Sequence, residues 1–122
     1  MRIAIWIGLF LLALAAAPPP AEAHAFLEQA TPRVGSTVGT PPGEHRLRFS
    51  EAVELRFCKV QLAKQGGETV ETGPLSADAK DERVLVATIP KPLAPGVYKV
   101  TWRVVSRDTH VTSGDFTFEV SP

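Results

Sequence analysis

The sequence predicts an all-β domain, a two-sheet antiparallel β-sandwich of about seven short strands. Three observations predict it. Apolar and polar residues alternate with period two in one run after another. No stretch beyond residue 23 sustains apolar residues at i, i+3 and i+4, and clusters of Gly and Pro separate the alternating runs.

The chain opens with Met1 and Arg2, an unbroken apolar run over residues 3–17, and then Pro18, Pro19 and Pro20. A bilayer-spanning helix needs roughly 20 apolar residues, this run has about 15, and the prolines stop any helix, so the segment reads as a secretory leader and not as an anchor. Ala21 and Ala23, spaced as A-x-A, put the cut after Ala23. That gives a signal peptide over residues 1–23 and one domain over residues 24–122, whose first residue is His24. About 100 residues is an ordinary size for one hydrophobic core.

Within the domain, Leu47 and Phe49 alternate with Arg46 and Arg48, and Leu85, Ala87 and Ile89 alternate with Val84, Val86 and Thr88. Over residues 97–105, Tyr98, Val100, Trp102 and Val104 form one face, which assigns Trp102 to core packing; Lys99, Thr101 and Arg103 form the other. Near the end Phe116, Phe118 and Val120 oppose Asp115, Thr117 and Glu119. Turn chemistry falls between these strands at Thr40-Pro41-Pro42-Gly43, Gln65-Gly66-Gly67, Thr72-Gly73-Pro74 and residues 90–96. Residues 34–39 read as loop. Closely spaced short strands of this kind imply a Greek-key, immunoglobulin-like arrangement, with the strand order open.

Composition narrows the function. Thirteen basic and thirteen acidic side chains balance to zero formal charge, which removes the electrostatic basis for binding nucleic acid or an anionic membrane surface. Cys58 is the one cysteine of the chain, so no internal disulfide staples the fold. It shares a face with Val60 and Leu62 and reads as a small buried hydrophobe.

The three histidines are unequal. His24, once first in the chain, carries a free α-amine beside its imidazole, and the two nitrogens can close a six-membered chelate on one metal ion. Near neutral pH both can be deprotonated by a competing Lewis acid. Asp108 and His110, in Ser106-Arg107-Asp108-Thr109-His110, stand at i and i+2, and in extended backbone they project to the same side. Together these residues offer three nitrogens and one oxygen, a tetragonal set that suits Cu(II); structural zinc favours cysteine, and Cu(I) favours Met or Cys. The only Met is Met1. His45, between Glu44 and Arg46, reads as a surface residue. Arg103 and Arg107 read either as surface charges or as partners of Asp108.

Several runs resemble the CopC family of periplasmic copper-resistance proteins. They are His24 followed by Thr31-Pro32; Leu47-Arg48-Phe49-Ser50-Glu51; Leu93-Ala94-Pro95-Gly96-Val97-Tyr98-Lys99-Val100; and residues 102–110, Trp-Arg-Val-Val-Ser-Arg-Asp-Thr-His. The resemblance implies a periplasmic carrier without enzymatic activity, holding one Cu(II) through His24, Asp108 and His110. It places Glu51 beside the site, orienting a ligand, and implies a CopD-like inner-membrane transporter as partner. The Met-rich segment of the family's Cu(I)-binding members is lacking. Two other classes remain open: a copper oxidase or polysaccharide monooxygenase with an N-terminal histidine brace, and a metal-free immunoglobulin-like adhesion module in which His24 lies far from Asp108 and His110.

Overall fold

The structure, a computed structural model, describes residues 24–122; the expected signal peptide and its cleavage point lie outside the described residues. Among the described residues no helix is long and apolar enough to cross a membrane. The strands, in chain order, are β1 (Leu27–Thr31), β2 (Thr37–Val38), β3 (Glu44–Phe49), β4 (Lys59–Lys64), β5 (Thr69–Val70), β6 (Ser76–Ala77), β7 (Val84–Thr88), β8 (Gly96–Val105) and β9 (Val111–Val120). They form a four-stranded sheet of order β1-β3-β7-β6 and a five-stranded sheet of order β2-β9-β8-β4-β5. The chain changes sheet after β1, β2, β3, β5 and β7, so hairpins are interleaved with crossovers.

The long strands follow their alternation. Tyr98, Val100, Trp102 and Val104 are buried on β8, and Phe116, Phe118 and Val120 on β9, while their odd-numbered neighbours Lys99, Thr101 and Arg103 stay exposed. Leu47 and Phe49 from β3, with Leu85 from β7, meet them from the other sheet. Phe49 closes the gap by an edge-on contact with Trp102, ring centroids 5.2 Å apart. Each fully buried Leu, Val or Phe contributes roughly 1.5–3 kcal/mol, so the core can hold the fold without a disulfide. Across the β8–β9 ladder Trp102 faces Gly114, where a Cβ would come within 2.6 Å of the indole.

Four details depart from the sequence reading. The strand count exceeds seven because β2, β5 and β6 are two-residue pieces, too short to show alternation. Residues 34–39, expected as loop, contain β2, which pairs parallel with the end of β9, the one parallel ladder in an otherwise antiparallel sandwich among the described residues. Cys58 is half-buried, its Sγ 3.2 Å from the Glu54 carbonyl, and burial pushes the thiol up in pKa.

The fourth is a correction. His45, expected at the surface, is 1% exposed. It lies on β3 two residues before Leu47 and therefore on the inward face, and neither ring nitrogen has a hydrogen-bond partner in the protein. Burial pushes its pKa below the ordinary histidine value. The period-two rule that assigned Leu47 and Phe49 extends to residue 45; the charged neighbours Glu44 and Arg46 obscured it.

Candidate metal centre

The site lies at the end of the sandwich where β8 turns into β9, beside the last residue of β3. Residues 106–110 form the connecting turn. Ser106 N–H donates to the His110 carbonyl at 2.9 Å, and Thr109 N–H donates back to the Ser106 carbonyl at 2.9 Å. Thr109 has φ 72°, left-handed space that a β-branched residue rarely adopts, so the turn around it must be firmly held. The extended backbone expected for Asp108 and His110 is therefore not what joins them. The turn brings them together instead, with His110 Nδ1 2.8 Å from Asp108 Oδ2.

Asp108 is held on both oxygens. Its Oδ1 accepts the Ser106 hydroxyl and, at 3.3 Å, the His110 backbone N–H, while Oδ2 faces the imidazole. The Ser106 hydroxyl, followed by the His110 contact, lowers the carboxyl pKa to about 2. An ionised carboxylate can only accept, so Nδ1 of His110 is the donor in this contact. Arg107 takes no part: it pairs with Glu82 at 2.6 Å and with Glu54 at 3.6 Å. Arg103 lies exposed on β8, opposite Lys59 and Ser113.

The opposite wall is formed by residues 24–26, which lead into β1. The His24 ring lies 4.9 Å from the His110 ring, centroid to centroid, tilted by 42°. Phe26, 59% exposed, adds a third ring 6.0 Å from that of His24. Between them Ala25 points inward and is fully buried. Ser50, just past β3, receives the Phe26 N–H on its hydroxyl at 2.8 Å and donates to the His24 carbonyl at 3.0 Å. Thr112, on β9, donates to the Ala25 carbonyl at 2.7 Å.

The geometry thus gathers His24, Asp108 and His110 at one end of the fold, whereas an adhesion module would keep them apart. Glu51 and Asp108 line one open cleft of about 180 Å³ together with Ala52, Ser106 and Arg107. His45 lies elsewhere, in the core beside β7. Among the described residues no three His, Cys, Asp or Glu side chains converge as a ready metal cage. Asp108 is turned onto His110 instead, its Oδ2 2.8 Å from Nδ1. Sequence reasoning missed Ser50, Ser106 and Thr112. Ser50 and Ser106 stand inside runs already singled out, but hydroxyls that hold backbone leave no periodic trace.

Comparison with known proteins agrees with this architecture. Residues 27–121 match the CopC domain family. Copper resistance protein C of Pseudomonas syringae pv. tomato is 37% identical over 105 residues, covering 82% of each chain. Protein YobA of Escherichia coli strain K12 is 34% identical over 113 residues, covering 93% of this chain and 91% of its own. The crystal structure of CopC from Methylosinus trichosporium OB3b superposes with a TM-score of 0.75 at 32% identity, covering 81% of this chain and 95% of that one. With the family match spanning residues 27–121 on a matching two-sheet β-sandwich, the chain belongs to the CopC family of copper-resistance proteins.

Proposed function

We propose that the processed chain is a periplasmic carrier of one Cu(II) ion, held by the α-amine and Nδ1 of His24 together with His110 and Asp108. The single observation that supports this reading is the approach of the His24 and His110 rings to 4.9 Å at the turn that carries Asp108. Copper is cargo here. Three nitrogens and a carboxylate oxygen form the hard-to-borderline, tetragonal set that Cu(II) prefers, and the described residues contain no methionine for Cu(I). The Asp108–His110 pair keeps the imidazole oriented until the ion arrives, and Glu51 is the further carboxylate of the same cleft.

The role is binding and delivery, not catalysis. An anionic carboxylate among the ligands favours the oxidised ion and competes for a position that O2 would need. Delivery would run to an inner-membrane transporter of CopD type, with copper resistance as the outcome. Titration with Cu(II), followed by EPR, tests the reading: one equivalent is expected to give a tetragonal signal with nitrogen coupling. His24→Ala and His110→Ala should each lose it. Retention of that signal in both variants would refute the ligand set.

A further inference from the structure

We infer that Ser50 and Thr112 are positioning residues that latch the first three residues of the domain before any metal arrives, one from each sheet. Ser50 follows β3 of the four-stranded sheet and Thr112 lies on β9 of the five-stranded sheet. The Ser50 hydroxyl bridges two backbone groups of the segment, accepting from Phe26 N–H at 2.8 Å and donating to the His24 carbonyl at 3.0 Å. The Thr112 hydroxyl takes the carbonyl between them, that of Ala25, at 2.7 Å. The polar groups of the segment are thereby anchored on alternate sides, and the buried Ala25 methyl fixes the axis about which it could turn.

A chain terminus is ordinarily the least ordered part of a domain. Here the first residue must present its imidazole to His110, so every degree of freedom left in residues 24–26 would have to be removed on metal capture. The hydroxyls remove it in advance. Backbone pairing alone does not suffice, because the regular β1–β3 ladder runs only from Leu27, and beyond it Phe26 has a single backbone bond, Ser50 N–H to its carbonyl at 2.8 Å. Ser50→Ala keeps that bond and deletes only the hydroxyl bridge. Thr112→Val deletes the other hydroxyl while keeping a β-branched side chain on β9.

The effect on copper rests on the function proposed above, whereas the order of the metal-free segment does not. The experiment is amide hydrogen exchange on the metal-free exported protein, paired with Cu(II) titration of the same samples. In Ser50→Ala the Phe26 N–H should exchange about tenfold faster, the equivalent of one net hydrogen bond, with Val100 and Trp102 on β8 unchanged. Ser50→Thr should restore protection, and Thr112→Val should accelerate Phe26 to a similar extent with Thr112→Ser as its rescue. The Cu(II) dissociation constant should rise about tenfold in the two hydroxyl-deleted variants and recover in the rescues. Unchanged Phe26 exchange in Ser50→Ala and Thr112→Val would overturn the latch, and faster exchange with unaltered copper affinity would uphold the latch and overturn its part in metal capture. Faster exchange in a protein whose wild type takes up no copper would uphold the latch and refute the carrier function instead.

Discussion

His24 precedes β1 and His110 precedes β9, far apart in the sequence, yet their imidazole rings lie 4.9 Å apart. The turn between β8 and β9 supplies one ring and the segment leading into β1 supplies the other, so the two meet only when the sandwich is closed. Cu(II) binding at the proposed site is therefore expected to be coupled to folding.

A ligand that binds the folded chain alone raises its stability. With free Cu(II) at a hundredfold over its dissociation constant the gain is about 2.7 kcal/mol, or roughly 10–20 °C in Tm for a domain of this size. Calorimetry with and without Cu(II) checks this, and no shift would fit an adhesion module better than a carrier.

Asp108 contacts His110 and, in the proposed site, completes the donor set, so Asp108→Asn should weaken Cu(II) binding by about 10–100-fold while leaving the hairpin folded. Ser106→Ala removes the first cause of the low Asp108 pKa, and the carboxyl should titrate higher in the metal-free protein. Carboxyl chemical shifts followed against pH read this directly.

His45 makes stability depend on pH. The unfolded chain takes up its histidine proton near the reference value of about 6.5, whereas the folded chain resists protonation because burial disfavours the charged ring. Glu44, adjacent in sequence, opposes burial only in part. Between the two pKa values the unfolded state binds more protons, so stability is complete above about pH 6.5 and declines as pH falls below it. The lowered carboxyls Asp78, Asp81 and Asp108 act only further down, below their ordinary value of 3.8. His45→Leu should abolish the upper decline and, by removing two unpartnered buried nitrogens, add about 1–3 kcal/mol at pH 6. Urea midpoints across pH 4–8 measure it.

Gly114 is required by its neighbour. A methyl there would meet the Trp102 ring at 2.6 Å, and that ring is buried against Phe49 and cannot swing away. Gly114→Ala should cost about 1–3 kcal/mol through overpacking, seen as a lowered Tm and a shift in tryptophan fluorescence.

Much of the architecture was legible because the long strands are amphipathic. Tyr98, Val100, Trp102 and Val104 could bury only one face, and Phe116, Phe118 and Val120 only the matching one. What escaped had no period to betray it. Thr37 and Val38 form β2 through pairing with the distant Glu119 and Val120, not through any pattern of their own. Asp108 and His110 do lie side by side, but a turn with a left-handed Thr109, not extended backbone, joins them. Ser50 was visible in the Phe49-Ser50-Glu51 run, yet only the folded chain shows its hydroxyl reaching residues 24 and 26.

The proposed carrier function requires a free amino group on His24, and the most direct measurement compares Cu(II) affinity of protein beginning at His24 with protein that retains Ala23, each verified by mass spectrometry. Retention converts a chelating amine into an amide, so affinity should fall about 100-fold or more, with altered nitrogen coupling in the EPR spectrum. Equal affinity and identical spectra for the two proteins would contradict the account.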